Sequence, residues 1–342
     1  MSIFLKHVLI TTQLPTIIAC DEKSLNKTNP SILFVNPSLG TPKYTDEDRL
    51  RSYLSLGTLV SALKNGAFLK RFAERLGRPE IIFDSDRDYP VFDIVVLNLS
   101  LRPVGRTIRQ FFADGLKQFR QTPLMVCMTA TSAQLDEAGE IARAAGRWAP
   151  AAIRIIGGPH VSVVPADYLK RAEFQVACIG EGVETLAELA LLSCCKSDPD
   201  FTTIAGIAFK DRNGRVHSNP LRTPALDLDE YPFPSDSLDL FWKDDGTPEK
   251  NRSHLIYILS GYGCPHDCIF CAQCSIHGKR IRERSADNIF EEIRHLAARG
   301  FCKFAFVQET FLNRKKRVEK FCRLIENCGL EIEWTAEARA DS

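Results

Sequence analysis

The feature that most constrains this chain is a set of five short, nearly unbroken apolar runs in its first half. They are "SILFVN" (31–36), "DIVVLNLS" (93–100), "PLMVCMT" (123–129), "AIRIIGG" (152–158) and "FQVACIG" (174–180). A strand that faces solvent on one side alternates polar and apolar residues. A strand covered on both sides does not, and parallel sheets are covered on both sides. Stretches with helical periodicity lie between the runs, among them "GRTIRQFFADGLKQF" and "SAQLDEAGEIARAA". Strands that alternate with helices predict an α/β fold with a parallel sheet between helical layers. "EIIFD" (80–84) is a candidate extra strand.

At 342 residues the chain exceeds one average core, which predicts two domains. Lys and Arg total 44 against 43 Asp and Glu, so no charge excess favours nucleic acid or an anionic membrane. No apolar run approaches the roughly 18 residues of a membrane-spanning helix. Residues 1–30 read as an N-terminal extension, although fourteen uncharged residues ending at Cys20 resemble a weak lipoprotein signal. Several of the twelve cysteines sit inside apolar runs, such as Cys127 and Cys178, where a free thiol behaves as a small hydrophobe. This usage fits a reducing cytoplasm.

Open parallel sheets bind ligands at the carboxyl ends of their strands. There the sequence places Pro37-Ser38-Leu39-Gly40, Gly157-Gly158-Pro159-His160 and Gly180-Glu181-Gly182-Val183-Glu184-Thr185. Glycine lets backbone approach a ligand closely, and a helix start offers free N–H groups. Neither glycine pair belongs to a G-x-G-x-x-G dinucleotide fingerprint.

A first strand ending in Asn-Pro, a "GGPH" turn and a "GEGVETL" helix start resemble the cobalamin-binding domain of radical S-adenosylmethionine enzymes. The resemblance implies a flavodoxin-like sheet over residues 31–204 that carries a corrin above its strand ends. It implies cobalamin contacts at Ser38, Gly157, Gly158, His160, Gly180, Glu181 and Gly182. Many cobalamin proteins ligate cobalt through the His of D-x-H-x-x-G. None of the seven histidines here has Asp two positions before it, so the resemblance implies binding without a protein histidine beneath the metal, or loss of the cofactor.

Residues 205–250 read as a connection. "GIAFKDRNGRVHSN" is a hairpin pattern whose Asn213-Gly214 suggests a type I′ turn. Pro232 and Pro234 then predict an irregular linker across a surface.

From 251 the chain changes character. A strand at 254–259 breaks at Gly261 and Gly263, and "CPHDCIFCAQC" follows. Cys264, Cys268 and Cys271 have the spacing C-x3-C-x2-C, and Cys274 adds a fourth thiol. Thiolates are the usual iron–sulfur ligands. Three of them leave one iron of a cubane open, whereas four close a cluster or bind zinc. The loop resembles the signature of the radical S-adenosylmethionine superfamily, with Phe270 as the aromatic before the last cysteine. That resemblance implies a [4Fe–4S] cluster on Cys264, Cys268 and Cys271, and S-adenosylmethionine on the open iron. Phe270, Glu309 and Arg339 are implied contacts of S-adenosylmethionine, and Glu337 is a further polar side chain at the end of the third strand; Gln308 stands where relatives commonly show Asp. An electron donor such as flavodoxin or ferredoxin is the implied partner.

Downstream, Ser285 predicts a helix cap with Ile289, Ile293 and Leu296 on one face. "KFAFVQ" (303–308) is a strand, Asn313 a cap for a second helix, and "EIEWTAEA" the start of a third strand. Cys302, Cys322 and Cys328 read as core. About three βα units fit between 251 and 342, so the expectation is an incomplete (β/α) barrel, a fragment or half of a split enzyme, with Ile332 and Trp334 on an open edge. The expected function is radical chemistry with cobalamin, methyl transfer or rearrangement at unactivated carbon. A non-catalytic corrinoid-binding module and a zinc-stabilised interaction protein are the alternatives.

Overall fold

The computed structural model describes residues 30–37, 46–78, 92–99, 122–171, 173–195, 199–241 and 251–340, with residues 81, 107, 110 and 113 between them. The apolar runs form β1 (Ser31–Asn36), β2 (Asp93–Asn98), β3 (Met125–Thr129), β4 (Ile153–Gly157) and β5 (Val176–Cys178). They pair in parallel in the order β2-β1-β3-β4-β5. The chain leaves β1 in one direction to β2 and in the other to β3, the doubly wound arrangement whose crevice opens at that reversal. β6 (Ile207–Lys210) and β7 (Val216–Ser218) extend the sheet antiparallel from β5.

The pleat explains the unbroken apolar runs. Ile32 and Phe34 of β1, with Cys127 and Ile155, face a core built with α1 (Asp46–Lys64), α2 (Gly66–Leu76) and α6 (Gly182–Cys195). Leu33 and Val35, with Val126 and Ile156, face the opposite core under α3 (Leu135–Trp148). Both alternating sets are therefore buried. Two short helices, α4 (Pro159–Val163) and α5 (Pro165–Arg171), lie between β4 and β5.

The second unit has a three-stranded parallel sheet, β8 (Leu255–Leu259), β11 (Lys303–Val307) and β12 (Glu333–Ala336), in the order β12-β11-β8. A two-residue ladder joins β9 (Gly261–Tyr262) and β10 (Arg282–Glu283) antiparallel. Helix α7 (Gln273–His277) follows the cysteine loop; α8 (Ala286–Ala298) and α9 (Lys315–Cys328) flank β11. The Ser285 hydroxyl caps α8, accepting the Asn288 N–H at 3.1 Å, and Ile289, Ile293 and Leu296 are buried. Among the described residues no helix is long and apolar enough to cross a membrane.

The two units share one hydrophobic cluster. It runs from Phe34 and Tyr53 through Leu238 to Ile256, Ile293 and Phe304. Each such side chain taken fully from water contributes about 1.5–3 kcal/mol. Gly57 of α1 lets the 234–240 segment pack close to that helix. A Cβ there would stand 2.9 Å from Tyr53 and 3.3 Å from the Pro234 carbonyl, and its own carbonyl accepts the Ser237 hydroxyl at 3.1 Å.

Several expectations are corrected. Residues 234–240 are not a strap across a surface: they form a 3₁₀ helix with Pro234, Leu238 and Leu240 buried against α1. The hairpin turn spans residues 211–215, wider than a two-residue type I′ turn. The Asp211 carboxylate accepts the N–H groups of Asn213 and Arg215, each at 2.9 Å, and so holds the wider loop. Gly261 does not break the chain but pairs in β9. Asn313 does not cap α9, because its amide donates back to the Thr310 carbonyl at 2.8 Å and the helix starts at Lys315. Cys328 is exposed, and Cys302 and Cys322 are half-buried. Trp334 is 36% exposed but turns its ring onto Phe306, Phe311 and Phe321, while Ile332 packs partly buried against the core. Residues 1–29, the segment 80–84 apart from Ile81, and most of the helical pattern at 105–119 lie outside the described residues.

Candidate functional site

The carboxyl ends of β1, β3, β4 and β5 open into a cavity of about 810 Å³. Gly157, Gly158, Gly180, Glu181 and Gly182 line its floor. Gly158 has φ +105°, a region L side chains rarely adopt, and a Cβ there would meet the Ala130 carbonyl oxygen at 2.8 Å. Backbone thus shapes the floor, and any side chain at 158 would push it apart. Gly180, also at positive φ (+77°), donates its N–H to the Ser162 hydroxyl at 3.0 Å. The walls are mostly apolar, including Phe34, Leu59, Met128 and Leu186. Cys127 and Cys178 also line the cavity; burial pushes both thiols up, Cys178 to about 12, so both stay neutral.

A second cavity, of about 620 Å³, lies at the ends of β8, β11 and β12. Cys264, Cys268 and Cys271 line it, with Phe270, Glu309 and Arg339. Gly263 creates the loop's entry: at φ +93°, its Cβ would stand 2.1 Å from the Arg280 carbonyl oxygen. The Cys271 N–H donates to the Cys268 carbonyl at 3.0 Å, which turns the loop between the two thiols. Cys274 is placed differently. It does not line the cavity, and its thiol donates to the carbonyls of His266 at 3.2 Å and Cys264 at 3.4 Å. Among the described residues no three His, Cys, Asp or Glu side chains converge on one point as the ligands of a single ion do. The three cysteines that line the cavity are a donor set whose chemistry suits an iron–sulfur cubane with one iron left for another ligand.

Glu309 follows β11 and lines this cavity. One of its carboxylate oxygens is buried without a hydrogen-bond partner among the described residues. A buried acceptor left unmet is costly unless a ligand meets it. Beside it, Gln308 is buried and held on all sides: its amide donates to Glu283 at 2.8 Å, and its carbonyl accepts Ser260 at 3.1 Å and Arg317 at 2.9 Å. Burial lowers the Arg317 guanidinium from its usual range, opposed by Glu283. Gln308 therefore braces the strand end.

The other sequence-predicted positions divide. Phe270 is 89% exposed at the loop tip, and Arg339 is exposed at the cavity mouth. His160 does not line the larger cavity; its Nδ1 lies 2.8 Å from the Ser132 hydroxyl. Ser38 lies outside the described residues. Glu181 reaches the cavity, but Arg282 and His277 of the second unit take its carboxylate. Burial raises that carboxyl, and the hydrogen bonds from His277 and Arg282 outweigh it, so Glu181 is held below the usual carboxylate range.

Sequence reasoning placed Glu337 at the end of the third strand but missed the wall that the two cavities share. Tyr257, Tyr262, Gln273, His277, Val307 and Glu337 line both cavities. The clue available was local: Tyr262 stands between two glycines at the root of the cysteine loop.

Residues 91–190 match the B12 binding domain family. They carry β2 to β5 and most of α6. The chain is 28% identical over 261 residues to an uncharacterised methyltransferase of Pyrococcus horikoshii, which covers 75% of this chain and 53% of that protein. It is 24% identical over 330 residues to the cytidylyl-2-hydroxyethylphosphonate methyltransferase of Streptomyces wedmorensis, covering 87% and 58%. The chain thus spans little more than half the length of these curated relatives. Among solved structures it resembles the radical S-adenosylmethionine methyltransferase TsrM of Kitasatospora setae, with cobalamin and a [4Fe–4S] cluster bound, at TM-score 0.60 and 19% identity, covering 88% of this chain and 51% of that one. It resembles the cobalamin-dependent S-adenosylmethionine radical enzyme OxsB, with aqua-cobalamin and S-adenosylmethionine bound, at TM-score 0.64 and 19% identity, covering 92% and 39%. The fold is shared with these two structures, and the matched residues supply the strand ends and glycines of the larger cavity, while α1 and the second unit supply the rest of its lining.

Proposed function

We propose that the chain holds a [4Fe–4S] cluster on Cys264, Cys268 and Cys271, S-adenosylmethionine beside it, and cobalamin in the larger cavity, for methyl transfer to an unactivated carbon. When bound, the cluster supplies the electron that cleaves S-adenosylmethionine, and cobalamin carries the methyl group. One observation carries the reading: the cavity of the three thiols and the cavity over the B12-domain strand ends share a wall, so groups bound in them would be neighbours.

The chain's own residues have distinct tasks in this reading. Gly157, Gly158, Gly180 and Gly182 let the corrin lie against backbone. Glu309 meets the ammonium group of S-adenosylmethionine with the carboxylate oxygen that has no hydrogen-bond partner among the described residues. Arg339 meets its carboxylate, and Phe270 offers an aromatic face to its adenine. The apolar walls exclude water from both. No described histidine from the B12-binding domain lines the larger cavity, and the reading keeps cobalt free of a protein histidine from that side.

The eleven described cysteines are free thiols, which suits a reducing cytoplasm. An electron donor of the flavodoxin or ferredoxin type is the proposed partner, together with a small-molecule or peptide substrate. A second chain is proposed to pair with the β12 edge. The test is anaerobic reconstitution with iron, sulfide and hydroxocobalamin, then S-adenosylmethionine and a strong reductant. Formation of S-adenosylhomocysteine or 5′-deoxyadenosine supports the proposal. Cobalamin uptake without either product favours a corrinoid-binding module, and zinc in place of iron and sulfide defeats the cluster assignment.

A further inference from the structure

Glu181 sits in the floor of the larger cavity, yet its side chain belongs to the other unit. Its Oε2 accepts Arg282 Nη1 at 2.9 Å. Its Oε1 pairs with Arg282 Nη2 and with His277 Nδ1, the latter at 3.3 Å. Arg282 is 3% exposed in its side chain and also donates to the Ala225 carbonyl at 3.0 Å, so the linker is tied into the same knot. The His277 ring stacks on Tyr262 with centroids 4.5 Å apart and planes at 16°, and the Arg282 guanidinium lies 5.6 Å from the Tyr262 centroid. Arg282 is the ladder partner of Tyr262.

The placement of these residues along the chain matters. Tyr262 stands two residues before Cys264, and His277 stands three after Cys274. The cysteine loop is thus gripped at both roots, and both grips converge on one carboxylate of the B12-binding domain. Tyr262 and His277 also line both cavities.

We propose that Glu181 is a positioning residue that fixes the cysteine loop over the corrin cavity, setting the distance and orientation between the two bound cofactors. The inference rests on the reading under Proposed function. Such a device matters because a displacement of about 1 Å in a reacting group costs about 10²-fold in rate. A bidentate carboxylate–guanidinium pair that is buried and further hydrogen-bonded gives that kind of directional constraint. The shared apolar core is non-directional and does not.

The experiment uses the full chain, reconstituted with its cluster and with hydroxocobalamin reduced to the paramagnetic Co(II) state. Pulsed electron paramagnetic resonance then measures the magnetic coupling between the cobalt and the reduced cluster. The wild type should give one narrow distance distribution. Glu181→Ala, measured at saturating cobalamin with both cofactors bound, should broaden it at least about twofold, while iron content stays within about twofold of wild type, because the thiols are untouched. Glu181→Gln, which keeps the shape and one acceptor, should fall between and carries the test if the alanine variant does not fold. The exchanged pair Glu181→Arg with Arg282→Glu should restore part of the narrowing. An unchanged distribution in both single variants, with both cofactors bound, overturns the positioning role alone. A wild-type chain that takes up neither cofactor overturns this inference together with the reading beneath it.

Discussion

The two cavities are built by opposite means. Over the B12-domain sheet the decisive atoms are missing ones: glycines at 157, 158, 180 and 182 leave backbone bare, and the remaining wall is apolar. At the cysteine loop the decisive atoms are present ones: three thiols, a buried carboxylate oxygen without a hydrogen-bond partner among the described residues, and a guanidinium at the mouth. The difference teaches where each cavity is vulnerable. The first fails when bulk is added, and folding should suffer with binding. The second fails when a functional group is removed, and folding should survive.

The largest expected effect on the first cavity is Gly158→Ala. Positive φ strain and a Cβ pressed against the Ala130 backbone together cost about 3 kcal/mol. Denaturant unfolding should show that loss, and cobalamin uptake should fall with it; an unchanged midpoint would break the contrast. On the other side, Glu309→Gln removes a charge from the second cavity. S-adenosylmethionine affinity should drop at least about tenfold, about 1.4 kcal/mol, in equilibrium binding. Stability should hold, because that carboxylate oxygen has no hydrogen bond to lose among the described residues.

Acid should loosen the joint between the units. Glu181 faces Arg282, His277, Tyr231 and Tyr262, and its carboxyl is held below the ordinary range by the His277 and Arg282 hydrogen bonds despite burial. A depressed carboxyl stabilises the fold fully above its unfolded value of about 4.3, and that contribution is lost as pH falls through the lower folded value. Unfolding followed across that acid window should show a slope that Glu181→Gln reduces. The smallest effect is Gly157→Ala. A Cβ there would make only ordinary contact with Cys178 at 3.6 Å, so less than about 1 kcal/mol should be lost. A loss equal to that of Gly158→Ala would mean that backbone geometry does not distinguish the two.

Legibility in the sequence followed the range of each interaction. The strands of the first sheet show as continuous apolar runs because both faces are buried, and β5 is merely shorter than its run. Ser285 and the buried stripe of α8 show because a cap and a helical face are local. The three cysteines show because their spacing is the chemistry. What stayed hidden is long-range. Glu181 and Arg282 are separated by 101 positions, and nothing near either announces the other. Residues 234–240 look like an exposed linker, since two prolines exclude regular pairing, yet they fill a groove against α1 that exists only after folding. Gln308 looks like a substituted ligand, and it is a brace for Glu283, Ser260 and Arg317.

The central claim is that three thiols, and not four, hold a cluster with one open iron beside the B12-domain cavity. The direct measurement is iron and acid-labile sulfide per chain after anaerobic reconstitution of the wild type, Cys264→Ala, Cys268→Ala, Cys271→Ala and Cys274→Ala. The account predicts about four iron and four sulfide per wild-type chain, the composition of one cubane. It predicts near-complete loss in each of the first three variants and retention in Cys274→Ala, whose thiol only meets the His266 and Cys264 carbonyls. Loss of the cluster in Cys274→Ala, or zinc in place of iron and sulfide in the wild type, would contradict it.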